Sequence, residues 1–474
     1  MLVRVGSWLK FLVKFIVIIL KICYHKTMII LKILLGLFGL GVVVFFHELG
    51  HFLAARLVKI DVEAFSIGWG KAILKKKIGA VEYRLGMFPL GGYCKMKGEN
   101  DYSEALENIK NGVKPEAGSF LAANPAARIL VAAAGPIFNL LFAIILLCFI
   151  WGFGFEMKTL DNKIVLVSEF SDGSYPADKA GLETGDRIIN INGNKVSYFH
   201  EIKENVAVNP GKNLPITVER NGEILTFNIT PTLDKSSGAG IIGISYWTDS
   251  VIDNVTEGGP AQEAGLLPGD IIKTANGTPI RNTIDLSKIL EQKINHLDLE
   301  IERNGSAKHV SLNFSNPNDI GITWKYITYR TPNLSIPAAV ATGFKAGGKT
   351  LALYLKSLKI LFKGIDLTKA VSGPVRITYM MGDMATQGFK ESIGTGIRYF
   401  IDFIALISIV LCVMNLLPLP IVDGGMIILF LVELIRKKPT NPKIISVLQT
   451  VGVVIIFTLM VFALFGDFLF FKAL

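Results

Sequence analysis

The sequence predicts an α-helical polytopic membrane protein. Four core transmembrane helices, with a possible fifth at the N-terminus, carry two inserted tandem β-rich domains and a membrane-associated β-hairpin or re-entrant loop. Three observations predict this. Of 474 residues, 51% are hydrophobic and only 19% charged, against about 25% charged in a soluble chain. The apolar residues gather at the two ends, while residues 156–330 read as water-soluble protein. Within that polar middle, one motif occurs twice. The composition excludes disorder, a collagen-like fibre, a disulfide scaffold and an ordinary soluble enzyme.

A transmembrane helix needs about 20 mostly apolar residues. Met28–Phe46, a span within Ala126–Phe155, Tyr399–Leu417 and Ile444–Phe465 meet that need. Lys32 lies near enough to one end of the first to snorkel. Leu9–Cys23 is short and carries Lys10, Lys14 and Lys21, so it reads as an extra span, an interfacial helix or an over-extended start before Met28. The resulting division is an extension (1–27), the first core helix (28–55), a cytosolic loop (56–125) and the second helix (126–155). Two β-rich domains (160–237 and 238–325) and an amphipathic membrane-surface region (335–397) follow. The third helix with its trailing segment (398–435) and the fourth helix (443–468) close the chain.

The net charge of +10, from 49 Lys+Arg against 39 Asp+Glu, is a topology signal and not a nucleic-acid signal. The basic residues cluster beside the apolar runs, as the positive-inside rule requires. The 56–128 loop and Arg436-Lys437-Lys438 are therefore expected in the cytosol, and the polar insert on the opposite face. Cys23, Cys148 and Cys412 sit in apolar stretches and Cys94 in the basic loop. No cysteine falls between 149 and 411, so the insert holds no disulfide and cysteine usage does not fix its compartment.

His47-Glu48-Leu49-Gly50-His51 is an HExxH motif at the end of 19 largely apolar residues. On a helix, positions i and i+4 put both imidazoles on one face, as two zinc ligands require. Glu48 projects beside them, able to take a proton from water and pass it to a leaving amine. The alternative is two packed histidines on an amphipathic helix, but ionisable groups at membrane depth are costly and usually functional. A third ligand must come from elsewhere. Glu63 lies where the chain has left the helix. Asp423 follows Asn415-Leu416-Leu417-Pro418-Leu419-Pro420-Ile421-Val422, where prolines break the helix and Gly424-Gly425 permit a tight turn. Its place before the Arg436 cluster matches the depth of His47 and His51. Asp423 could instead cap the helix Gly424–Leu434.

Residues 78–97 alternate β-branched and aromatic residues with polar ones, with a turn expected at Pro89 and Gly91-Gly92. Such a hairpin near the metal could hold an unwound substrate segment by strand pairing. This makes Gly91, Gly92 and Tyr93 candidate substrate-binding residues; a plain cytosolic hairpin is the alternative. Asn139, in Gly135-Pro136-Ile137-Phe138-Asn139, reads as helix packing, and Asp402 as an interfacial residue.

With these motifs the chain resembles the site-2 proteases, zinc intramembrane proteases, over about residues 28–470. His47, Glu48 and His51 match the family's zinc motif, and Val422-Asp423-Gly424 matches its Leu-Asp-Gly motif with Val for Leu. Phe65-Ser66-Ile67-Gly68, Pro89-Leu90-Gly91-Gly92-Tyr93, Ala134-Gly135-Pro136-Ile137-Phe138-Asn139 and Asn415-Leu416-Leu417-Pro418 extend the likeness. The resemblance implies one Zn2+ per chain and makes Asn415 a candidate for polarising the scissile carbonyl or steadying the oxyanion, with helix–helix hydrogen bonding as the alternative. It also implies a monomer in the bacterial cytoplasmic membrane, cutting single-pass membrane proteins such as a shortened anti-sigma factor or leftover signal peptides.

In the insert, Pro176–Ile188 recurs as Pro260–Ile272 at an offset of 84 residues, with Asn192-Gly193 recurring as Asn276-Gly277. Glu219-Arg220-Asn221-Gly222 returns as Glu302-Arg303-Asn304-Gly305. Each copy resembles a PDZ domain in its AGLxxGDxIxxxNG segment, which implies binding of extended peptides by strand addition. The pair is expected to act as a substrate gate; two passive spacers that filter by bulk are the alternative. A non-catalytic PDZ-bearing scaffold and a metal transporter are the competing readings of the whole chain. The scaffold reading needs a closed metal site, and the transporter reading leaves the PDZ pair unexplained.

Overall fold

A computed structural model of the protein describes residues 2–98, 115–292, 294–361, 372–438 and 440–473. The chain divides into two units. The first comprises residues 1–155, 331–355 and 367–474, and the second comprises 156–330 with 356–366. Among the described residues, four helices are long and apolar enough to cross a membrane: Thr27–Leu57, Pro125–Phe153, Ile393–Asn415 and Lys443–Lys472.

In the first unit, helix α1 runs Leu2–Leu57 without a break. Leu9–Cys23 is thus the leading part of α1 and not a separate helix. Strands β1 (Val62–Ile78) and β2 (Val81–Met96) follow. They turn at Gly79-Ala80, where Gly79 takes φ 63° and Ile78 pairs with Val81. The chain reverses again between residues 85 and 92, where the turn at Pro89 and Gly91-Gly92 is expected, because 82–85 run in the same direction as 64–67 and 92–95 in the opposite one. Residues 64–67 pair with 92–95 on one side and with 82–85 on the other. Residues 92–96 thereby form one edge of this small sheet.

Helix α2 (Pro125–Phe153) starts on an Asn124 cap, whose Oδ1 accepts from Ala127 N at 2.7 Å, with Pro125 in the first turn. Residues 336–355 of helix α3 (Ile336–Leu361), together with helices α4 (Pro374–Glu391), α5 (Ile393–Asn415), α6 (Asp423–Arg436) and α7 (Pro442–Ala473), complete the unit. Helix α4 packs beside α1. Gly382 and Gly36 make the approach close: a Cβ on either would lie 1.9 Å from a backbone oxygen of the other helix. Lys32, expected to snorkel, pairs there with Asp383 at 2.6 Å. The α4 N-terminus is capped from α7, where buried Asp467 accepts from Gly373 N at 2.8 Å and from Val375 N and Arg376 N at 3.1 Å. Helix α6 is tied to α2 by a buried Arg128–Glu433 pair at 2.9 Å, with Arg128 also over the Phe430 ring. The unit's main core gathers Ala55, Ile60, Val131, Phe430 and Ile445, where α1, α2, the small sheet, α6 and α7 meet.

The second unit repeats one arrangement. Strands 194–195, 187–191, 214–220 and 223–229 form a four-stranded sheet in that order, and 278–279, 271–275, 296–303 and 306–313 form another. Each half adds a short helix begun by proline (Pro176–Ala180, Pro260–Glu263) and a longer one (Phe199–Ala207, Thr283–Leu290). Strand Ile244–Tyr246 pairs with Ile164–Leu166, and Ile322–Trp324 pairs with Ile252–Val255. The chain beyond residue 238 therefore closes the first half before it begins the second. The recurring Asn-Gly pairs are turns with positive φ at both residues, 49° and 82° at Asn192-Gly193 and 49° and 75° at Asn276-Gly277.

The recurring Asp and Arg form a clamp in each half. Arg220 Nε and Nη2 donate to Asp186 Oδ1 and Oδ2 at 2.7 and 2.8 Å, and Nη2 also reaches Gly181 O at 2.9 Å. Arg303 does the same to Asp270 and Gly265 O, each at 2.7 Å. The unit closes on itself where Glu156–Thr159 pairs with Ile327–Arg330.

Candidate metal centre

The centre forms where α1, α2 and α6 meet. His47 and His51 lie one turn apart on α1 and present their Nε2 atoms to each other at 3.2 Å. Asp423 Oδ2 lies 3.3 Å from His47 Nε2, and Oδ1 lies 3.6 Å from His51 Nε2. Ligands on a tetrahedral zinc, at bonds of about 2.0–2.1 Å, sit about 3.3 Å apart. The three donors therefore fit zinc, and three protein ligands leave a fourth position open. Asp423 Oδ2 is buried without a hydrogen-bond donor, as a carboxylate reserved for a metal would be.

Asp423 is the first residue of α6, after the irregular segment 416–422. Gly424 and Gly425 serve a different purpose from the tight turn expected of them. A Cβ on Gly424 would lie 2.4 Å from the carbonyl oxygens of Leu416 and Leu417, and one on Gly425 2.0 Å from Leu419 O. Neither has positive φ among the described residues. The glycines let the start of α6 sit directly on the preceding loop, and this brings Asp423 to the histidines.

Helix α2 backs both imidazoles. His51 Nδ1 donates to Val131 O at 2.8 Å, which leaves Nε2 with its lone pair. The Asn139 amide lies against His47 Nδ1 at 3.2 Å. Asn139, read from the sequence as packing, therefore touches a candidate ligand. Gly50 and Gly135 set the helix spacing: a Cβ on Gly50 would lie 2.4 Å from Ala134 O, and one on Gly135 2.3 Å from His51 Nε2.

A cavity of about 260 Å³ opens over the three candidate ligands and is lined also by Glu48, Gly92 and Tyr93. The Glu48 carboxylate accepts from the Cys94 backbone N–H. A Cβ on Gly92 would meet Ser66 O at 2.7 Å, Val44 Cγ1 at 2.9 Å and Glu48 Cγ at 3.1 Å, so glycine brings the sheet edge against the face of α1 that carries Glu48. Gly91 lies outside this lining. It takes φ 110° beneath the Trp69 indole, whose Nε1 lies 2.2 Å from where a Cβ would be. Asn415 ends α5, partly buried, and is not among the described residues lining the cavity. Asp402 pairs with Arg398 at 3.2 Å along α5.

The family model for peptidase family M50 matches residues 35–459. A protein of Treponema pallidum (strain Nichols) named as a zinc metalloprotease is 37% identical over 444 residues, covering 92% of this chain and 98% of its own. A second so named, from Borreliella burgdorferi, is 32% identical over 92% of this chain and 98% of its own. The regulator of sigma E protease of Haemophilus influenzae is 31% identical, covering 91% of this chain and 97% of its own. Among solved structures, a PDZ domain of EpsC from Vibrio cholerae matches 24% of this chain and 93% of its own, at 19% identity and a TM-score of 0.11. The chain belongs to peptidase family M50, the site-2 proteases, and is a zinc metalloprotease of the membrane.

Proposed function

We propose that this protein hydrolyses peptide bonds within the transmembrane segments of single-pass membrane proteins. The observation that carries the reading is the convergence of His47, Glu48, His51 and Asp423 on one cavity at the end of a membrane-spanning helix. Zinc held by His47, His51 and Asp423 supplies a Lewis acid that lowers the pKa of water. Glu48 takes a proton from the attacking water and delivers it to the leaving amine. The sheet edge at Gly92-Tyr93 borders the same cavity, and strand pairing there would hold an unwound substrate and replace its lost helical hydrogen bonds. Asn415 is retained as a carbonyl-polarising residue on the family resemblance alone.

The insert, in this reading, is a tandem PDZ pair that filters substrates by their tails. Its support is the repeated motif together with the repeated strand order. The Lys/Arg asymmetry favours a metal site toward the cytosol, with the insert on the outer face of a bacterial cytoplasmic membrane. A membrane-anchored anti-sigma factor, already shortened, and remnant signal peptides are the proposed substrates, and the name of the Haemophilus relative is in keeping with the first. The test is Glu48→Gln in purified full-length protein, against a single-pass membrane substrate. Cleavage should fall by about 10²–10⁴-fold with zinc retained, and undiminished cleavage would remove Glu48 from the mechanism.

A further inference from the structure

We propose that Asn139 is a positioning residue that accepts the Nδ1 proton of His47 and so fixes the ring that presents Nε2 to zinc. The inference rests on the zinc-site reading above and adds a partner outside the ligand set. Both His47 Nε2 and His51 Nε2 face Asp423, so the metal takes both Nε2 lone pairs, and each Nδ1 must then carry its proton. For His51 the acceptor is in place, the Val131 carbonyl of α2. For His47 the neighbouring group is the Asn139 amide, eight residues further along α2.

Asn139 is wholly buried, and its Oδ1 has no hydrogen-bond donor, while Nδ2 is the atom set against His47 Nδ1. The two ends of an amide exchange places by a half-turn about χ2. That half-turn puts the orphaned acceptor on the Nδ1 proton, which satisfies a buried oxygen and defines the tautomer in one move. The position is also anchored from a third helix, because buried Ser408 on α5 donates to the Asn139 carbonyl at 2.7 Å. Between Val131 and Asn139, Gly135 keeps the space beside both rings clear. Residues 131, 135 and 139 recur at i, i+4 and i+8, so one face of α2 is a rail that holds both imidazoles. This gives the Gly135-Pro136-Ile137-Phe138-Asn139 segment a role in the metal centre.

The experiment uses full-length protein in detergent and reads zinc affinity by chelator competition, with the visible spectrum of the Co2+ form as a second readout. Asn139→Leu keeps the side-chain size and removes the acceptor, so it should weaken zinc binding by about 10–100-fold and alter the Co2+ spectrum. Asn139→Asp keeps an acceptor at the same place and should bind zinc within a few-fold of wild type. Ser408→Ala, which touches Asn139 only through its backbone, should leave both readouts near wild type and so separates ring positioning from helix packing. Wild-type zinc affinity in Asn139→Leu would overturn the proposal. So would an Asn139→Asp protein that folds yet binds zinc as poorly as Asn139→Leu; if it does not fold, Asn139→Leu decides. Absence of zinc binding by the wild type would defeat the zinc-site reading itself, and this inference with it.

Discussion

Asp423 in the membrane unit and Asp270 in the insert are both acidic groups withdrawn from water, and they are used in opposite ways. Asp270 is saturated: Arg303 bonds both oxygens, and Leu267 N adds a third bond at 2.8 Å. Asp186 repeats this with Arg220 and Glu183 N. Asp423 has an oxygen without a donor and faces two imidazole nitrogens. A carboxylate with both oxygens met by donors of its own chain is part of the architecture. One left incomplete among other metal-ligand atoms is a site.

The strongest way to break the comparison is to remove each carboxylate in full-length protein. Asp423→Ala should abolish stoichiometric zinc in metal analysis while helix content by circular dichroism stays unchanged. Undiminished zinc would make Asp423 a structural residue like the other two. Asp270→Ala should do the reverse, leaving zinc in place and destabilising the second half of the insert by about 3 kcal/mol through a stranded guanidinium, read by denaturant unfolding. A smaller effect sharpens the comparison between the halves. Arg220→Lys and Arg303→Lys each lose the bidentate fork and the carbonyl contact, at about 1–2 kcal/mol, and the two costs should agree.

The pH response is milder. Burial pushes Asp270 up, but the Arg303 guanidinium and Leu267 N–H outweigh it and hold the carboxyl below its ordinary 3.8. Burial likewise raises Glu169, while Thr184, Arg281 and Lys288 bring it below 4.5. Groups held low in the folded state stabilise it fully above their unfolded pKa and stop doing so as pH falls through the folded one. Hydrogen exchange in strand 271–275 should therefore be flat from pH 7 to the ordinary carboxylate range, once corrected for intrinsic exchange rates, and should rise below it. The smallest effect concerns Glu169, which joins the halves through Arg281 at 2.7 Å. Glu169→Gln should cost under about 1 kcal/mol, as a partly exposed pair does, with faster exchange in helix 283–290.

Much of this was legible in the sequence, and the division is physical. HExxH is visible because helical spacing makes a local pattern sufficient for two ligands. The four spans show as composition, and the repeat shows as identity between distant segments. The Asp423 pairing could be argued from depth along the membrane normal, a coordinate that sequence order preserves. Contacts at right angles to that normal leave no such trace. Nothing periodic connects Lys32 with Asp383, or Asn139 with His47, and both asparagine and lysine had bland alternatives that the composition favoured. The turn at Gly79-Ala80 has no proline beside it and is a weaker local signal than Pro89 and Gly91-Gly92, which mark the second reversal and whose glycines also allow close approach to Trp69 and Glu48.

The strand pair that closes the insert, 156–159 with 327–330, has a consequence for how the chain can be cut. The residues just outside it already meet, since Thr331 N donates to Phe155 O at 2.9 Å and Thr331 Oγ1 lies 3.1 Å from the same oxygen. Entry and exit of the insert are therefore a single point of the membrane unit. A chain joined from Phe155 to Thr331 through a short linker loses no segment of α2 or α3, and it turns the polar middle into a detachable cassette. The three candidate zinc ligands, His47, His51 and Asp423, all stay with the remainder.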